Sequence, residues 1–169
     1  PRAAAQEGDQ VSYAIGNVLD VLPTLDAGRF QCCVTSPPYW GLRDYGHAEQ
    51  LGMEPTPAEY VANMVRVFGE VRRVLRDDGV LWLNCGDSYA GQAGGPQGES
   101  GDRASRTHTG TMPGGRRGDG LKSKDLVGIP LLLAFALRAD GWFLRSDTIW
   151  HKPNPMPESV TDRPTKAHE

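Results

Sequence analysis

The sequence predicts an α/β fold built on a parallel strand–helix–strand unit. A short apolar run at residues 30–34 is typical of a buried strand, and a second run at 80–85 is typical of another. Between them lies a helical pattern that begins at a capping motif, residues 56–59. Because a strand–helix–strand unit connects its strands by a right-handed crossover, the two strands are expected to be parallel.

The composition is that of a globular domain. The 169 residues are 38% hydrophobic and 23% charged, which suits one domain with a real core. The net charge of -3 neither supports nor excludes a local basic surface for nucleic acid. No apolar run long enough for a membrane span and no signal-peptide pattern are present, so we expect a cytoplasmic protein. Three cysteines, two of them adjacent, indicate neither a disulfide framework nor a metal site.

The amino-terminal part is expected to hold a loose terminus, a strand and a short helical turn. Residues 1–9 are polar and rich in alanine. Residues 11–15 alternate apolar and polar side chains, which predicts a strand that ends at Gly16 and Asn17. Residues 18–22 precede a proline and predict one helical turn.

The central helix has clear signals at both ends. Thr56 and Glu59 form a capping box, with a proline at the first helical position. The helix is predicted to end at residues 77–79, where Gly79 would supply a left-handed cap. Its arginines are most simply a solvated face: Arg66, Arg72, Arg73 and Arg76. One apolar stripe follows from the spacing of Tyr60, Met64, Phe68, Val71 and Leu75.

Residues 90–121 are rich in glycine and nearly free of large apolar groups. Such a stretch cannot bury enough surface to offset its ordering entropy, so it is predicted to be a flexible loop. Basic residues outnumber acidic ones there and include Arg116 and Arg117. Two interpretations are compatible: a solvated loop, or a basic flap that contacts DNA phosphates without reading sequence.

The carboxyl-terminal part is predicted to hold a helix and another strand. Residues 123–125 can cap a helix that runs to Asp140, with Gly141 as its stop. The run from 129 to 137 is apolar almost all round, which predicts deep packing, and Pro130 should kink the helix or mark its start. Residues 142–150 are predicted to be a strand.

Residues 35–40, Thr-Ser-Pro-Pro-Tyr-Trp, follow the first apolar strand directly. Two prolines stop a strand because neither can donate to a sheet ladder and each fixes its own φ. The result is a rigid turn at the carboxyl end of a strand, which in open α/β sheets is the edge where ligands bind. An ordinary proline turn is the alternative for so short a motif.

The turn and its surroundings resemble the amino-group DNA methyltransferases, whose catalytic loop is Asp/Asn/Ser-Pro-Pro-Tyr/Phe. The resemblance extends from about Gly16 to Glu169. It implies a Rossmann-like class I methyltransferase fold, which is a mostly parallel sheet with helices on both faces and would be incomplete in this chain. It also implies a single partial catalytic domain over residues 1–169 with the loop 90–121 inside it. It also implies S-adenosylmethionine as methyl donor, double-stranded DNA as partner, and transfer to cytosine N4 or adenine N6.

The resemblance assigns chemistry to the turn. An exocyclic base amine is a poor nucleophile, and acceptors on its N–H groups free its lone pair. Ser36 Oγ and the Pro37 carbonyl would be these acceptors, Pro38 would help to fix them, and Tyr39 would stack on a flipped base. The resemblance also implies that Ser36 and Pro37 contact the cofactor. Serine before the prolines favours cytosine N4. No cysteine nucleophile is required, and the cysteines are interpreted as structural: Cys32, Cys33 and Cys85.

The resemblance also implies roles away from the turn. Gly16 and Asn17 stand where the family has a Gly-Asp pair that binds the cofactor adenine, although Asn17 as a lone residue is more often a turn former. Residues 150–152 resemble a motif near the flipped base, while a core position for the tryptophan is equally compatible. The remaining substrate-binding candidates are Trp40, Trp150, His151 and Lys152.

The chain departs from the family in one respect. The Phe-x-Gly-x-Gly cofactor loop is missing, and the glycine pairs at 94–95 and 114–115 neither follow a strand nor open a helix. A permuted subgroup places this loop last, so the chain resembles only the leading part of such an enzyme. A truncated enzyme is favoured over half of a split enzyme completed by another chain and over a degenerate remnant. A non-catalytic DNA-binding module and a protein or RNA methyltransferase are the alternative functions. Alone, the chain is expected to bind S-adenosylmethionine weakly or not at all.

Overall fold

The computed structural model describes residues 12–90, 120–122, 124–155, 164–165 and 167–169. A one-turn helix, α1, is followed by a 3₁₀ turn, and two strands and two longer helices complete the regular structure. Their bounds are α1 Val18–Val21, the 3₁₀ turn Leu22–Thr24, β1 Phe30–Thr35, α2 Pro57–Val74, β2 Leu75–Leu83 and α3 Ile129–Ala139. None of these helices has the length and apolar composition needed to cross a bilayer.

The two strands pair in parallel, as the strand–helix–strand pattern predicts. Their register is regular where Cys33 faces Leu81, but it is interrupted before that point, between Phe30 and Cys32. Helix α2 ends at Val74 with an extended backbone at the next residue, so the predicted end at residues 77–79 is wrong. Gly79 lies within β2 rather than at a helix cap, because the chain leaves the helix one turn earlier.

The predicted cap and stripe of α2 are confirmed. Thr56 Oγ1 accepts a hydrogen bond from the Glu59 amide at 3.2 Å. Arg73 departs from the predicted solvated face, because its guanidinium donates to the carbonyls of Leu22 and Leu25 and ties the 3₁₀ turn to the helix. The stripe is buried throughout and forms the centre of the core: Tyr60, Met64, Phe68, Val71 and Leu75.

The sheet is covered on one face only by the part of the chain that the structure describes. Cys33, Leu81 and Leu83 pack against the core, whereas Val34 and Trp82 are 77% and 58% exposed. Strands that are apolar on both faces predict helices on both sides. The expectation of two covered faces, and of buried strands, is therefore wrong for the described residues, which supply helices to one side.

Helix α3 begins where Pro130 predicts, with the proline in its first turn. It buries one stripe, including Leu133 and Leu137, against α2, while Leu131 and Phe135 are exposed. The predicted deep packing is therefore wrong on one side of the helix. The apolar composition of a helix does not by itself determine which of its faces packs against another element.

The amino end of α3 is capped by a residue that is distant in sequence, Asp87. The Asp87 carboxylate accepts hydrogen bonds from the backbone amides of Gly128 and Ile129 at 3.0 Å, in addition to that of Ser88. The predicted cap at 123–125 is not used in this way, and Ser123 itself lies outside the described residues. Asp87 therefore anchors α3 to the chain that follows β2.

Two predicted strands are not formed among the described residues. Residues 12–15 and 142–149 have no ladder partner there, and Ile15 is 98% exposed. A strand requires a neighbour, and alternation in sequence does not supply one. The short helix after Asn17 is confirmed. Residues 1–11 and 91–119 lie outside the described residues, so the loose terminus and the basic loop with Arg116 and Arg117 stay predictions.

The chain on either side of residues 91–119 is paired. Tyr89 and Leu126 form an antiparallel bridge. Ala90 N donates to the Asp125 carbonyl at 2.8 Å, and Lys124 N donates to the Ala90 carbonyl at 2.9 Å. These bonds bring the two ends of the intervening stretch together at the border of the core.

Asp87→Ala is expected to destabilise the intact protein by about 1–2 kcal/mol, because it removes a carboxylate that accepts from the first amides of α3. Urea denaturation followed by circular dichroism measures the change. Asp77→Ala is the control, since Asp77 is exposed and accepts no hydrogen bond within the described ranges, and its effect should stay within about 0.5 kcal/mol. Equal effects of the two substitutions would contradict the capping role.

Candidate active site

The carboxyl ends of β1 and β2 lie side by side and bring two loops together. Asn84 N donates to the Thr35 carbonyl at 2.9 Å, which extends the pairing one step past the strands. Residues 36–39 therefore lie beside residues 84–88. This edge is where ligands bind in parallel sheets.

The turn after β1 is held in place by contacts with α2 and with Gly52. The Tyr60 hydroxyl, on α2, donates to the Pro38 carbonyl at 2.9 Å. Gly52 lies so close that a Cβ there would stand 3.0 Å from the Tyr39 carbonyl oxygen, and its φ of +95° favours glycine. The two prolines thus form a turn with little freedom to move.

Trp40 belongs to the core rather than to a binding surface. Its side chain is 2% exposed, and its indole nitrogen donates to the Glu54 carbonyl at 3.0 Å. Glu54 is itself buried and accepts from Gly52 N at 2.8 Å and from Asn63 Nδ2 at 3.0 Å. The expectation that Trp40 contacts a base does not fit this burial, because its ring has no open face.

The Tyr39 hydroxyl is the centre of a polar network. Ser36 Oγ donates to it at 3.1 Å, and Asn84 Nδ2 donates to it at 2.9 Å. The Tyr39 hydroxyl in turn donates to Glu169 Oε2 at 3.0 Å, and Asn84 Nδ2 also donates to that oxygen at 2.9 Å. Lys152 forms an ion pair with the other carboxylate oxygen of Glu169. The network joins the turn, the end of β2 and the carboxyl-terminal residues.

A short antiparallel pairing places Glu169. Trp150 and Glu169 exchange backbone hydrogen bonds of 2.7 and 3.0 Å, and Lys152 N donates to the Ala167 carbonyl at 2.8 Å. His151 is exposed and pairs with His168. Trp150 is 65% exposed, so a core position for it does not fit the structure. Lys152 is engaged by Glu169 rather than left open for a phosphate.

Burial and charge set the protonation of the site. Burial raises the pKa of Tyr39, and the Glu169 carboxylate adds to the rise, so the phenol is neutral and can donate. Burial alone would raise the pKa of Glu169, but bonds from Lys152, Asn84 and Tyr39 lower it below its ordinary value. Burial, with the Asp87 carboxylate nearby, raises the pKa of Cys85 to about 12. A protonated Cys85 thiol is a poor nucleophile, which fits its interpretation as a structural residue.

A pocket opens beside the turn. It is bounded by residues 39–42 and 86–88, is open to solvent and is shallow, with a cavity volume of about 20 Å³. Gly86 lies against the Tyr39 ring, and a Cβ on it would stand 2.6 Å from a ring carbon. Ser36 is exposed, and the Pro37 carbonyl has no hydrogen-bond donor in the described part of the chain. The turn therefore presents two acceptor oxygens next to an aromatic ring.

The residues predicted to bind the cofactor adenine lie elsewhere in the structure. Asn17 Oδ1 accepts from the Leu19 amide at 3.0 Å and caps α1. No hydrogen bond among the described residues joins Asn17 or Gly16 to the network around Tyr39. The turn-forming alternative for Asn17 is the one that its contact supports.

Residues 30–169, most of the chain, match the model of a family described as DNA methylase. The chain belongs to this family. The matched region begins at β1 and therefore contains the turn, its pocket and the Tyr39 network.

Curated relatives agree with the family match. The chain is 52% identical over 157 residues to the Type II methyltransferase M.Cfr9I of Citrobacter freundii, and 53% identical to M.XycI of Xanthomonas campestris pv. cyanopsidis. Each alignment covers 91% of this chain and 50% of the relative. The Type II methyltransferase M.SmaI of Serratia marcescens is 48% identical, with 92% and 52% covered. The chain spans about half the length of these relatives. No solved structure matches it significantly.

Three residues of the candidate site in this DNA methylase family member were not predicted from the sequence. Asn84 follows an apolar strand at the carboxyl edge, a signal that could have found it. Gly86 is required by the closeness of the Tyr39 ring. Glu169 lies 130 residues from Tyr39 in sequence, and no local pattern indicates that the two meet.

Proposed function

We propose that this chain is the leading, catalytic part of a site-specific DNA methyltransferase that transfers a methyl group from S-adenosylmethionine to an exocyclic amine of a flipped base, with cytosine N4 favoured over adenine N6. The observation that carries the proposal is that the exposed Ser36 and the Pro37 carbonyl, which accepts no hydrogen bond within the described residues, directly precede Tyr39, whose ring lines the pocket. A DNA substrate is consistent with the cytoplasmic location that the sequence predicts.

The turn has the acceptors that an amine nucleophile needs. Asn84 donates to Tyr39, and Tyr39 donates to Glu169, so Ser36 directs its own hydrogen to Tyr39 and keeps lone pairs for the substrate. With Ser36 Oγ and the Pro37 carbonyl on its two N–H groups, the amine nitrogen becomes more tetrahedral and its lone pair more available. Stacking on Tyr39 recovers part of the cost of base flipping, a few kcal/mol.

The described residues fit the reactive end of the proposed cofactor. Hydroxyl and carbonyl oxygens at the turn, with the Glu169 carboxylate nearby, favour a positively charged sulfonium. S-adenosylmethionine, when bound, supplies an electrophilic methyl group. The family's glycine-rich adenosine loop would come from further chain, consistent with a permuted order and a Rossmann-like sheet completed beyond β1 and β2.

Exposed apolar surface supports a partner segment for this chain. The open sheet face carries Val34 and Trp82, and the open face of α3 carries Leu131 and Phe135. Contiguous exposed apolar surface marks an interaction site. Because the relatives are about twice as long, we propose that the remainder of such a protein, or a complementary chain, covers these faces.

DNA from cells that express the intact gene is expected to contain N4-methylcytosine in one fixed sequence context. Nucleoside mass spectrometry identifies the modified base, and sequencing that detects methylation gives the context. N6-methyladenine would favour the alternative base, while DNA binding without methyl incorporation would favour a non-catalytic module. A methyl on cytosine C5 would contradict the proposed chemistry, since that reaction requires a cysteine nucleophile.

A further inference from the structure

We propose that Glu169 is a positioning residue that receives, through Tyr39 and Ser36, the proton released by the target amine. This inference rests on the function proposed above and adds a proton path to it. Glu169 does not touch the substrate position, but its Oε2 lies 3.0 Å from the Tyr39 hydroxyl, which lies 3.1 Å from Ser36 Oγ.

The hydrogen bonds of this path have a fixed direction. Asn84 Nδ2 can only donate, and it reaches both the Tyr39 oxygen and Glu169 Oε2 at 2.9 Å. The ionised carboxylate can only accept, so the Tyr39 hydroxyl directs its hydrogen to Glu169. The second lone pair of the Tyr39 oxygen then accepts from Ser36. The order from Ser36 to Tyr39 to Glu169 therefore follows from the donors and acceptors present.

The proton balance of methyl transfer requires such an acceptor. The amine nitrogen forms the new N–C bond with its lone pair, the S–C electron pair stays on sulfur, and the nitrogen is left with one surplus proton. In the proposed path this proton passes to Ser36 Oγ, the Ser36 hydrogen passes to Tyr39, and the Tyr39 hydrogen passes to Glu169. Ser36 and Tyr39 finish neutral, and the carboxylate becomes a carboxylic acid.

The surroundings keep Glu169 ionised before the reaction. The titratable groups that face it are Lys152, Tyr39 and Cys85, and Lys152 pairs directly with its carboxylate. Together the bonds from Lys152, Asn84 and Tyr39 lower the pKa of Glu169 despite its partial burial. Because that pKa is lowered, the acceptor is present above its ordinary range and is lost only as the pH falls through the lowered value.

The test uses the intact protein and single-turnover methylation of an oligonucleotide duplex across pH. Glu169→Gln is expected to lower the rate about 10²-fold at neutral pH and to remove the acidic limb of the profile, with DNA affinity unchanged. Lys152→Met keeps the carboxylate but removes its ion pair, so it should move the acidic limb to higher pH. Asp26→Asn, an exposed carboxylate before β1, should leave rate and profile unchanged.

The outcomes separate this inference from the function on which it rests. If the wild-type protein does not methylate DNA, the proposed function fails and the relay fails with it. If the wild type methylates while Glu169→Gln keeps its rate and acidic limb, the relay alone is wrong. Should Glu169→Gln lose DNA binding through misfolding, the Lys152→Met profile decides: an unmoved acidic limb overturns the relay.

Discussion

Ser36→Ala is expected to lower the rate of methyl transfer by about 10²–10³-fold in the intact protein, the usual loss for removing one preorganised hydrogen-bond partner of a transition state. The exposed Ser36 Oγ is one of two open acceptors at the turn, and its own hydrogen is directed to Tyr39. The substitution removes an acceptor that binds the amine more strongly as its nitrogen becomes cationic. Single-turnover incorporation of labelled methyl groups measures the rate.

The control for this experiment is Ser12→Ala, because Ser12 is exposed and far from the turn in sequence. It should leave the rate unchanged. Affinity for unmethylated duplex should be similar in Ser36→Ala and in the wild type, since DNA backbone contacts supply most of that affinity. A weakened affinity with an unchanged single-turnover rate would assign Ser36 to binding and contradict the acceptor role.

Gly86→Ala is expected to reduce the rate by about 10²-fold, because displacing a positioning group by about 1 Å can cost that much. A Cβ at Gly86 would stand 2.6 and 2.7 Å from two carbons of the Tyr39 ring, so the ring must shift. The shift would disturb both the hydrogen bond that the Tyr39 hydroxyl accepts from Ser36 and the one that it donates to Glu169. Base flipping, followed with 2-aminopurine fluorescence at the target position, should weaken in parallel.

Gly69→Ala is the matched control. Gly69 lies within α2, and an added Cβ there would meet no atom within 4 Å. Alanine in a helix interior is favoured over glycine by about 1 kcal/mol, so this variant should be as active as the wild type and slightly more stable. Normal activity in Gly86→Ala would mean that the Tyr39 position is not critical for the reaction.

The strand–helix–strand unit could be predicted because its signals are local. The cap at Thr56, the apolar stripe from Tyr60 and the apolar runs around Cys33 and Leu81 each depend on neighbours in sequence. The predicted strand at 142–150 was wrong because strand formation depends on a partner that the pattern does not contain. Burial of β1 and α3 was overestimated for the same reason, since each has a face without a described neighbour.

The residues of the candidate site also differ in whether local sequence or long-range contacts reveal them. Ser36 and Tyr39 were found from a four-residue motif after a strand, and the structure places them together. Trp40, their neighbour in sequence, was assigned to the substrate because no local pattern reveals its bond to Glu54. Glu169 was missed because its contact with Tyr39 spans almost the whole chain. Residue types predict the chemistry of this site, whereas tertiary contacts determine which residues belong to it.

The backbone hydrogen bonds at Ala90 and Lys124 hold together the two ends of the chain segment between them. Because the two ends are hydrogen-bonded to each other, lengthening the stretch between them is expected to cost mainly loop-closure entropy, about 0.6 kcal/mol for each doubling. We therefore expect the folded core to tolerate changes in the length of residues 91–119 better than substitutions that break the hydrogen bonds at Ala90 and Lys124.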